Sequence, residues 1–308
     1  MAKSLTSYTA AIDETQATRL REILETRGFE FSEKPYALYS GKQGKLNVTV
    51  YEKGPKVLVQ GKETEDFVKF TLEPEILGEA KIGYEEIHQP EMFQPHFGID
   101  ESGKGDFFGP LVIAGAYTDP EIARSLIDAG VTDSKKITSD AKIRKLAEII
   151  RETPGIEYQV VRIGPTRYNE LYGKFRNLNR LLAWGHALII ESLLEKRPDC
   201  PRALSDQFAN PRELQRALMQ KGRGIDLQQR TKAESDVAVA AASILARESF
   251  IDWLREAKEK LGIVLPKGAS AQVKRTGLEI AKAHGEAGLG KLAKMHFKTA
   301  GEILQKIG

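Results

Sequence analysis

The chain has 308 residues, 29% charged side chains and a formal net charge of +3, enough length for about two domains but too mild a charge to name a nucleic-acid partner by itself. No apolar run approaches the roughly 20 residues a membrane helix needs, and Met1 to Thr6 lack the apolar stretch of a secretory signal, so a cytoplasmic protein is expected and a membrane protein excluded. The single cysteine, Cys200, rules out an internal disulfide and fits a reducing compartment.

In chain order, Asp13 to Arg27 predicts a helix: Ala17, Leu20, Ile23 and Leu24 recur at helical spacing, and Gly28 follows as a stop. The period then changes to two. Tyr36 to Tyr39, Leu46 to Tyr51 and Val57 to Gln60 read as short antiparallel strands, joined by turns at Ser40 to Lys45 and Glu52 to Lys56. Glu63 to Leu72 returns to helical spacing, and Glu73 to Pro95 has little periodicity. Lys42, Lys45, Lys53, Lys56 and Lys62 interleave with Tyr36, Tyr39 and Tyr51, a composition that suits a nucleic-acid platform, although lysines in turns are commonly just solvated.

Phe97 to Pro110 is the densest stretch. An apolar lead-in ends in Asp100 and Glu101, the loop Ser102-Gly103-Lys104-Gly105 follows, and Leu111 to Tyr117 reads as a second strand. Neighbours on a regular strand point to opposite faces, so the two acids are expected where the strand bends or ends. The loop amides could cradle phosphate or hydroxyl oxygens. Gly98 to Lys104 also spells G-x-x-x-x-G-K. The Ser/Thr of a P-loop is replaced by Gly105, however, two acids lie inside the would-be anion cradle, and a strand follows where a helix should.

Beyond it the chain alternates. Helices are predicted at Ile122 to Ala129, Asp140 to Glu152, Leu178 to Leu194 and Arg212 to Gln220, with strands at Ile156 to Ile163 and Arg202 to Asp206. This pattern argues for an α/β domain with a largely buried sheet. Ser235 to Lys260 is too apolar in its early turns for a surface helix and must pack on that sheet. Gln272 to His284 and Phe297 to Ile307 complete the chain as shorter helices.

Two-metal nuclease chemistry needs carboxylates from separate chain segments to hold cations about 3.5–4 Å apart. Asp206 closes a strand, as Asp100 nearly does, and Asp236 stands at the mouth of the buried helix, where it could equally complement the helix dipole.

The string from Gly98 to Leu111 resembles the signature of ribonuclease HIII, a bacterial type 2 ribonuclease H that cuts RNA in RNA/DNA hybrids. Thr132 to Lys136, Tyr168-Asn169, Asn177 to Asn179, Ala183 to Ala187, Ser205 to Phe208, Lys232 to Ser235, Val239 to Arg247 and His296-Phe297 extend the resemblance over almost the whole region from Phe97 onward. It implies a ribonuclease H-like α/β domain over 96–308, with a mixed sheet flanked by helices. A small α+β domain similar to the TATA-box-binding protein would precede it over 1–83 as a substrate-binding module, with 84–95 as linker.

It further implies that Asp100, Glu101, Asp206 and Asp236 are the catalytic, metal-binding acids. Asp100 would bridge two Mg2+ ions, Glu101 and Asp206 would hold one side, Asp236 would hold the site of the attacking water, and Mn2+ would serve as a substitute. Gly103, Lys104 and Gly105 would contact 2′-hydroxyls, Ser134, Lys135 and Lys136 would hold phosphates, and Tyr168 and Asn169 would touch substrate. Glu234 and Ser235 could position Asp236, while Asp106 and Asp133 look like turn residues bonded to their own backbone. His186 and Trp184 read as core packing. The implied protein is a hydrolytic, monomeric endonuclease leaving 3′-hydroxyl and 5′-phosphate ends. Its rivals are the sibling ribonuclease HII, usually Gly-Arg-Gly where this chain has Gly103-Lys104-Gly105, and a nucleic-acid-binding protein with a dead nuclease fold.

Overall fold

The computed structural model describes residues 5–78, 89–208, 211–231 and 233–307. Positions 83 to 88, at the expected end of the first domain and start of the linker, and Lys232 of the motif lie outside the described residues. The chain divides into two compact units, Met1–Glu91 and Met92–Gly308.

The first unit is a small α+β domain. Asp13 caps α1 (Glu14–Thr26) with a full capping box, and Leu20 and Leu24 on its inner face are fully buried. Five antiparallel strands follow the order β1 (Ser7–Ala11), β5 (Lys56–Gly61), β4 (Leu46–Tyr51), β3 (Ala37–Gln43), β2 (Glu30–Ser32). Both edge strands, β1 and β2, escape the sequence pattern: β2 has only three residues, and pairing to β5 and β3 is what makes the two segments strands. The predicted turn at Ser40 to Lys45 is mostly strand as well: β3 runs to Gln43 and pairs with β4 as far as Leu46. The helix α2 (Thr64–Phe67) continues as a wider π-helical segment through Leu77, past Pro74.

One face of this sheet packs Val48, Val50, Val57 and Val59 against Leu20, Phe67 and Leu72. The opposite face carries Lys42, Asn47, Gln60 and Ser7 as one cross-strand row. Tyr39 belongs to the core, where its hydroxyl donates to the Ala17 carbonyl at 2.7 Å, and drops out of the proposed aromatic platform. Tyr36 is exposed, and Tyr51 is half-buried with the Lys34 ammonium 5.7 Å from its ring centre.

The second unit is built on a mixed five-stranded sheet in the order β10 (Asp226–Arg230), β9 (Arg202–Asp206), β6 (His96–Ser102), β7 (Leu111–Thr118), β8 (Tyr158–Ile163). β6 is parallel to β9 and antiparallel to β7. Helix α3 (Pro120–Asp128) is capped by Asp119, and α4 (Asp140–Glu152) by Ser139. The remaining helices are α5 (Pro165–Phe175), α6 (Leu178–Lys196), α7 (Pro211–Ala217), α8 (Val237–Leu261), α9 (Ala271–Gly290) and α10 (Lys298–Leu304). Of these α5 was not predicted, nor was β10, whose polar Asp226–Arg230 sequence shows no strand pattern.

Helices cover both faces of this sheet, and every residue of β7 is buried. Ile113 and Gly115 face α6, where Ile189 and Leu193 close over Gly115. On the other face the Ala-rich start of α8 lies directly on Gly98. Small residues on both surfaces let helix and sheet approach closely, which explains the apolar sequence of the early turns. Among the described residues no helix is long and apolar enough to cross a membrane.

Candidate active site

β6 does not bend at its acids. It runs through Ser102 with Asp100 opposite Ala114 and Glu101 opposite Ile113, so the two carboxylates leave the central strand on opposite faces. Asp100 lies on the α8 face. It is 6% exposed, accepts from the Glu101 N–H at 2.8 Å and is bonded to Ser243 of α8. Burial, and then the neighbouring Glu101 charge, push its pKa up to about 7.

Glu101 lies on the α6 face, where His186 Nε2 meets its Oε2 at 3.1 Å and Lys104 Nζ meets its Oε1 at 3.2 Å. Burial opposes its charge, but the hydrogen bond and charge of His186 and then Lys104 outweigh burial and hold Glu101 well below the usual carboxylate range. His186 is a fully buried, satisfied imidazole, with Nδ1 3.0 Å from Ser205 Oγ. It also orients a site acid, which core packing alone did not suggest.

Asp206 ends β9 and accepts from the Ala233 N–H at 3.3 Å, which brings the 3-10 turn Ala233–Ser235 alongside it. Glu234 on that turn points to Lys135, Oε1 to Nζ 3.7 Å, and its Oε2 is buried with no partner among the described residues. Partial burial opposes the charge of Lys135. The carboxylates of Glu234, Asp100, Asp133 and Asp206, in that order, outweigh it and raise its pKa. The charges of acids on β6, β9 and the turn before α8 thus all act on the one ammonium group of Lys135, and Glu234 is the one in direct ion-pair contact among the described residues.

Asp236 is employed differently from the role expected of it. Its Oδ1 accepts from the Ala238 and Val239 N–H groups at 2.9 and 3.3 Å, capping α8, and both its oxygens lie 3.0–3.1 Å from His96 Nε2. His96 is fully buried, and its Nδ1–H donates to the Gln94 carbonyl at 2.7 Å. The helix-mouth acid is therefore a cap fastened to the start of β6, and the residue two positions earlier, Glu234, faces the other carboxylates.

The substrate-side expectations divide. Gly103 adopts φ +85°, and a Cβ there would strike the Pro110 carbonyl and Phe250, so only glycine fits. Gly105 is exposed and has open space where a Cβ would stand. Lys104 spans from Glu101 to the Phe208 ring, 5.7 Å away.

Lys135 and Lys136 are exposed on the 3-10 turn Ser134–Lys136, with Asp133 accepting from the Lys135 N–H as expected of a turn residue. Ser134 is buried, its hydroxyl 2.6 Å from that of Ser243 and its carbonyl bonded to Arg247, so its side chain supports Asp100 through Ser243 and is not presented to a phosphate. Tyr168 is 1% exposed and pairs with His296, and Asn169 bonds three main-chain groups between Gly290 and Met295. Both hold the C-terminal segment, with Tyr168 buried and Asn169 half-buried. Asp106 accepts from the distant Gly268 N–H at 2.6 Å, not from its own turn.

The sequence profile of the ribonuclease HII family matches residues 97–300. Proteins named ribonuclease HIII from Protochlamydia amoebophila and Chlamydia felis are 43% and 44% identical to the chain, covering 99% and 92% of it and 99% and 93% of their own lengths. Among solved structures, Bst-RNase HIII in complex with Mn2+ matches with a TM-score of 0.67 at 29% identity, over 98% of this chain and 99% of that one. RNase H3 of Aquifex aeolicus gives 0.55 at 28% identity, over 94% and 100%.

Proposed function

The chain belongs to the ribonuclease HIII family of type 2 ribonucleases H and is a ribonuclease H endonuclease, and from that premise we propose that it hydrolyses the RNA strand of RNA/DNA hybrids with two Mg2+ ions, leaving 3′-hydroxyl and 5′-phosphate ends. The observation that carries this reading is that Asp100, Asp206 and Glu234, from three separate segments, all act by their charge on Lys135, with Glu101 on the next residue of the central strand.

The donor set suits hard divalent cations, which prefer carboxylate and water oxygens to a closed protein cage. The buried Oε2 of Glu234, without a partner among the described residues, leaves an acceptor that a cation could satisfy. Among the described residues no three His, Cys, Asp or Glu side chains stand close enough together to hold a metal ion as they are, so the acids would have to draw together on binding it. Magnesium, or manganese in its place, would be held by Asp100, Glu101, Asp206 and Glu234 and would supply charge neutralisation at the scissile phosphate and a more acidic attacking water. Here Glu234 takes the place first expected for Asp236.

The chain's own groups do the rest. Ser243 fixes Asp100, and His186 and Lys104 fix Glu101, so both acids are oriented before substrate arrives. Lys135 and Lys136 supply positive charge for the backbone phosphates. The Gly103–Gly105 backbone, with open space at Gly105, can approach a 2′-hydroxyl, the group that separates RNA from DNA. Water attacks phosphorus, the bond from phosphorus to O3′ breaks, and the leaving oxygen takes a proton.

The first unit binds the hybrid through its open sheet face, and the protein acts as a cytoplasmic monomer. A cleavage assay on a uniform hybrid and on a DNA duplex holding one ribonucleotide, with the product ends identified, tests this reading. Cutting of the hybrid to 5′-phosphate products is expected. Cutting of the lone-ribonucleotide duplex at equal or greater efficiency would move the chain to the behaviour of the sibling enzyme.

A further inference from the structure

Lys294 is fully buried, an uncommon place for a lysine. Its ammonium group donates to two main-chain carbonyls, Asp106 at 2.8 Å and Gly109 at 2.7 Å, and lies 5.6 Å from the centre of the Tyr168 ring. Those carbonyls belong to the loop that begins at Gly103, and the Asp106 N–H closes the turn back to the Gly103 carbonyl at 3.3 Å.

The same segment stitches that loop at further points. The Lys294 N–H donates to the Phe107 carbonyl at 2.8 Å, and the Gly109 N–H to the Leu292 carbonyl at 3.0 Å. The segment is itself anchored from α5, where Asn169 donates to the Gly290 and Ala293 carbonyls, both at 3.0 Å, and accepts from the Met295 N–H at 2.9 Å. Tyr168, Asn169, the 290–296 segment and the loop form one continuous support.

Burial pushes the Lys294 pKa down to about 7, with the Asp106 charge opposing in part. An apolar side chain of similar volume would stabilise such a position more cheaply. What the lysine adds is two directed bonds to main-chain carbonyls immediately after the Gly103–Gly105 stretch.

We infer that Lys294 is a positioning residue for hybrid cleavage: by fixing the Asp106 and Gly109 carbonyls it sets the placement of the Gly103–Gly105 backbone against the ribose beside the scissile phosphate. This rests on the reading of that loop as the ribose sensor.

The test uses the full-length protein. Wild type is first assayed on a hybrid with an all-RNA strand and on one carrying deoxyribose in the nucleotides flanking the cut. Absence of discrimination there would defeat the ribose-sensor reading before any variant is made. Lys294→Met, which keeps the stem and removes the donors, is then compared with it. Expected are a fall in kcat on the all-RNA hybrid on the order of 10- to 100-fold, KM within about threefold, and a shrinking of the ribose-to-deoxyribose rate ratio by about tenfold. Asn169→Ser loosens the same segment while leaving Lys294 in place, and is expected to shift the ratio in the same direction by less. A variant that melts earlier but keeps both kcat and the ratio would overturn the proposal, as would failure of both variants to fold, because the segment would then be a folding element only.

Discussion

Both units rest on five-stranded sheets, yet only one sheet is covered on both sides. In the first unit α1 and α2 pack on one face and leave Lys42, Asn47, Gln60 and Ser7 open on the other. In the second, α8 and α6 close both faces of β6 and β7. A one-sided sheet offers an extended polar surface, which suits binding. A two-sided sheet can bury adjacent residues of one strand in two different environments, and this is how Asp100 and Glu101 come to be pushed in opposite directions, one short of charge and one well supplied. Under the proposed function, this contrast would give affinity to the first unit and chemistry to the second.

The sharpest way to break that division is at Asp100. Asp100→Asn is expected to lower cleavage by roughly three orders of magnitude or more while leaving hybrid affinity, measured by fluorescence anisotropy without divalent metal, unchanged. A variant cutting at the wild-type rate would refute the metal site.

Next comes the pair Glu234 and Asp236. Glu234→Gln should lower kcat by about 100-fold and raise the Mn2+ concentration needed for half-maximal rate. Asp236→Asn should cut within a few-fold of wild type and instead lose about 1 kcal/mol of stability in a denaturant titration, because it weakens the His96 contact but keeps the cap. The reverse ranking would restore Asp236 to the site.

Removing residues 1–83 addresses the other half of the comparison. The second unit has its own core, so KM for hybrid should rise 10-fold or more with kcat altered little. An unchanged KM would show that the open sheet face contributes nothing to substrate binding.

The smallest effect concerns pH. Lys294 in the folded protein is pushed below its ordinary value, to about 7, so the folded state holds fewer protons than the unfolded chain between about 7 and 10.5. That group's cost is fully present below pH 7 and is relieved as pH rises toward 10.5. The stability difference between wild type and Lys294→Met should therefore move in favour of wild type across that window, by a few degrees of melting temperature. A pH-independent difference would mean the lysine stays charged throughout.

Much of this was legible in advance. The apolar lead-in to Asp100, the Gly-rich loop, the strand end at Asp206 and the apolar early turns of α8 each carry a local signature, and each element formed within a few residues of its expected bounds. The edge strands β1 and β2 and the polar β10 were missed because pairing to a neighbour, not their own pattern, makes them strands. Tyr168 and Asn169 were read as touching substrate from the family resemblance alone, since nothing near them in the sequence shows what they bond. Their partners, residues 290 to 296, lie more than 120 positions away.

What the sequence determined by itself is the list of chemically able residues and the elements that carry them, since periodicity, capping and turn chemistry act over a few neighbours. Which carboxylate meets which was decided only by tertiary structure. Glu234 and Asp236 are two residues apart and both carry a carboxyl group. One pairs with Lys135 and the other caps a helix because His96, 140 positions earlier, arrives beside Asp236 and Lys135 beside Glu234. Contacts of that range are set by how the helices close over the sheet, and short-range pattern carries no record of them.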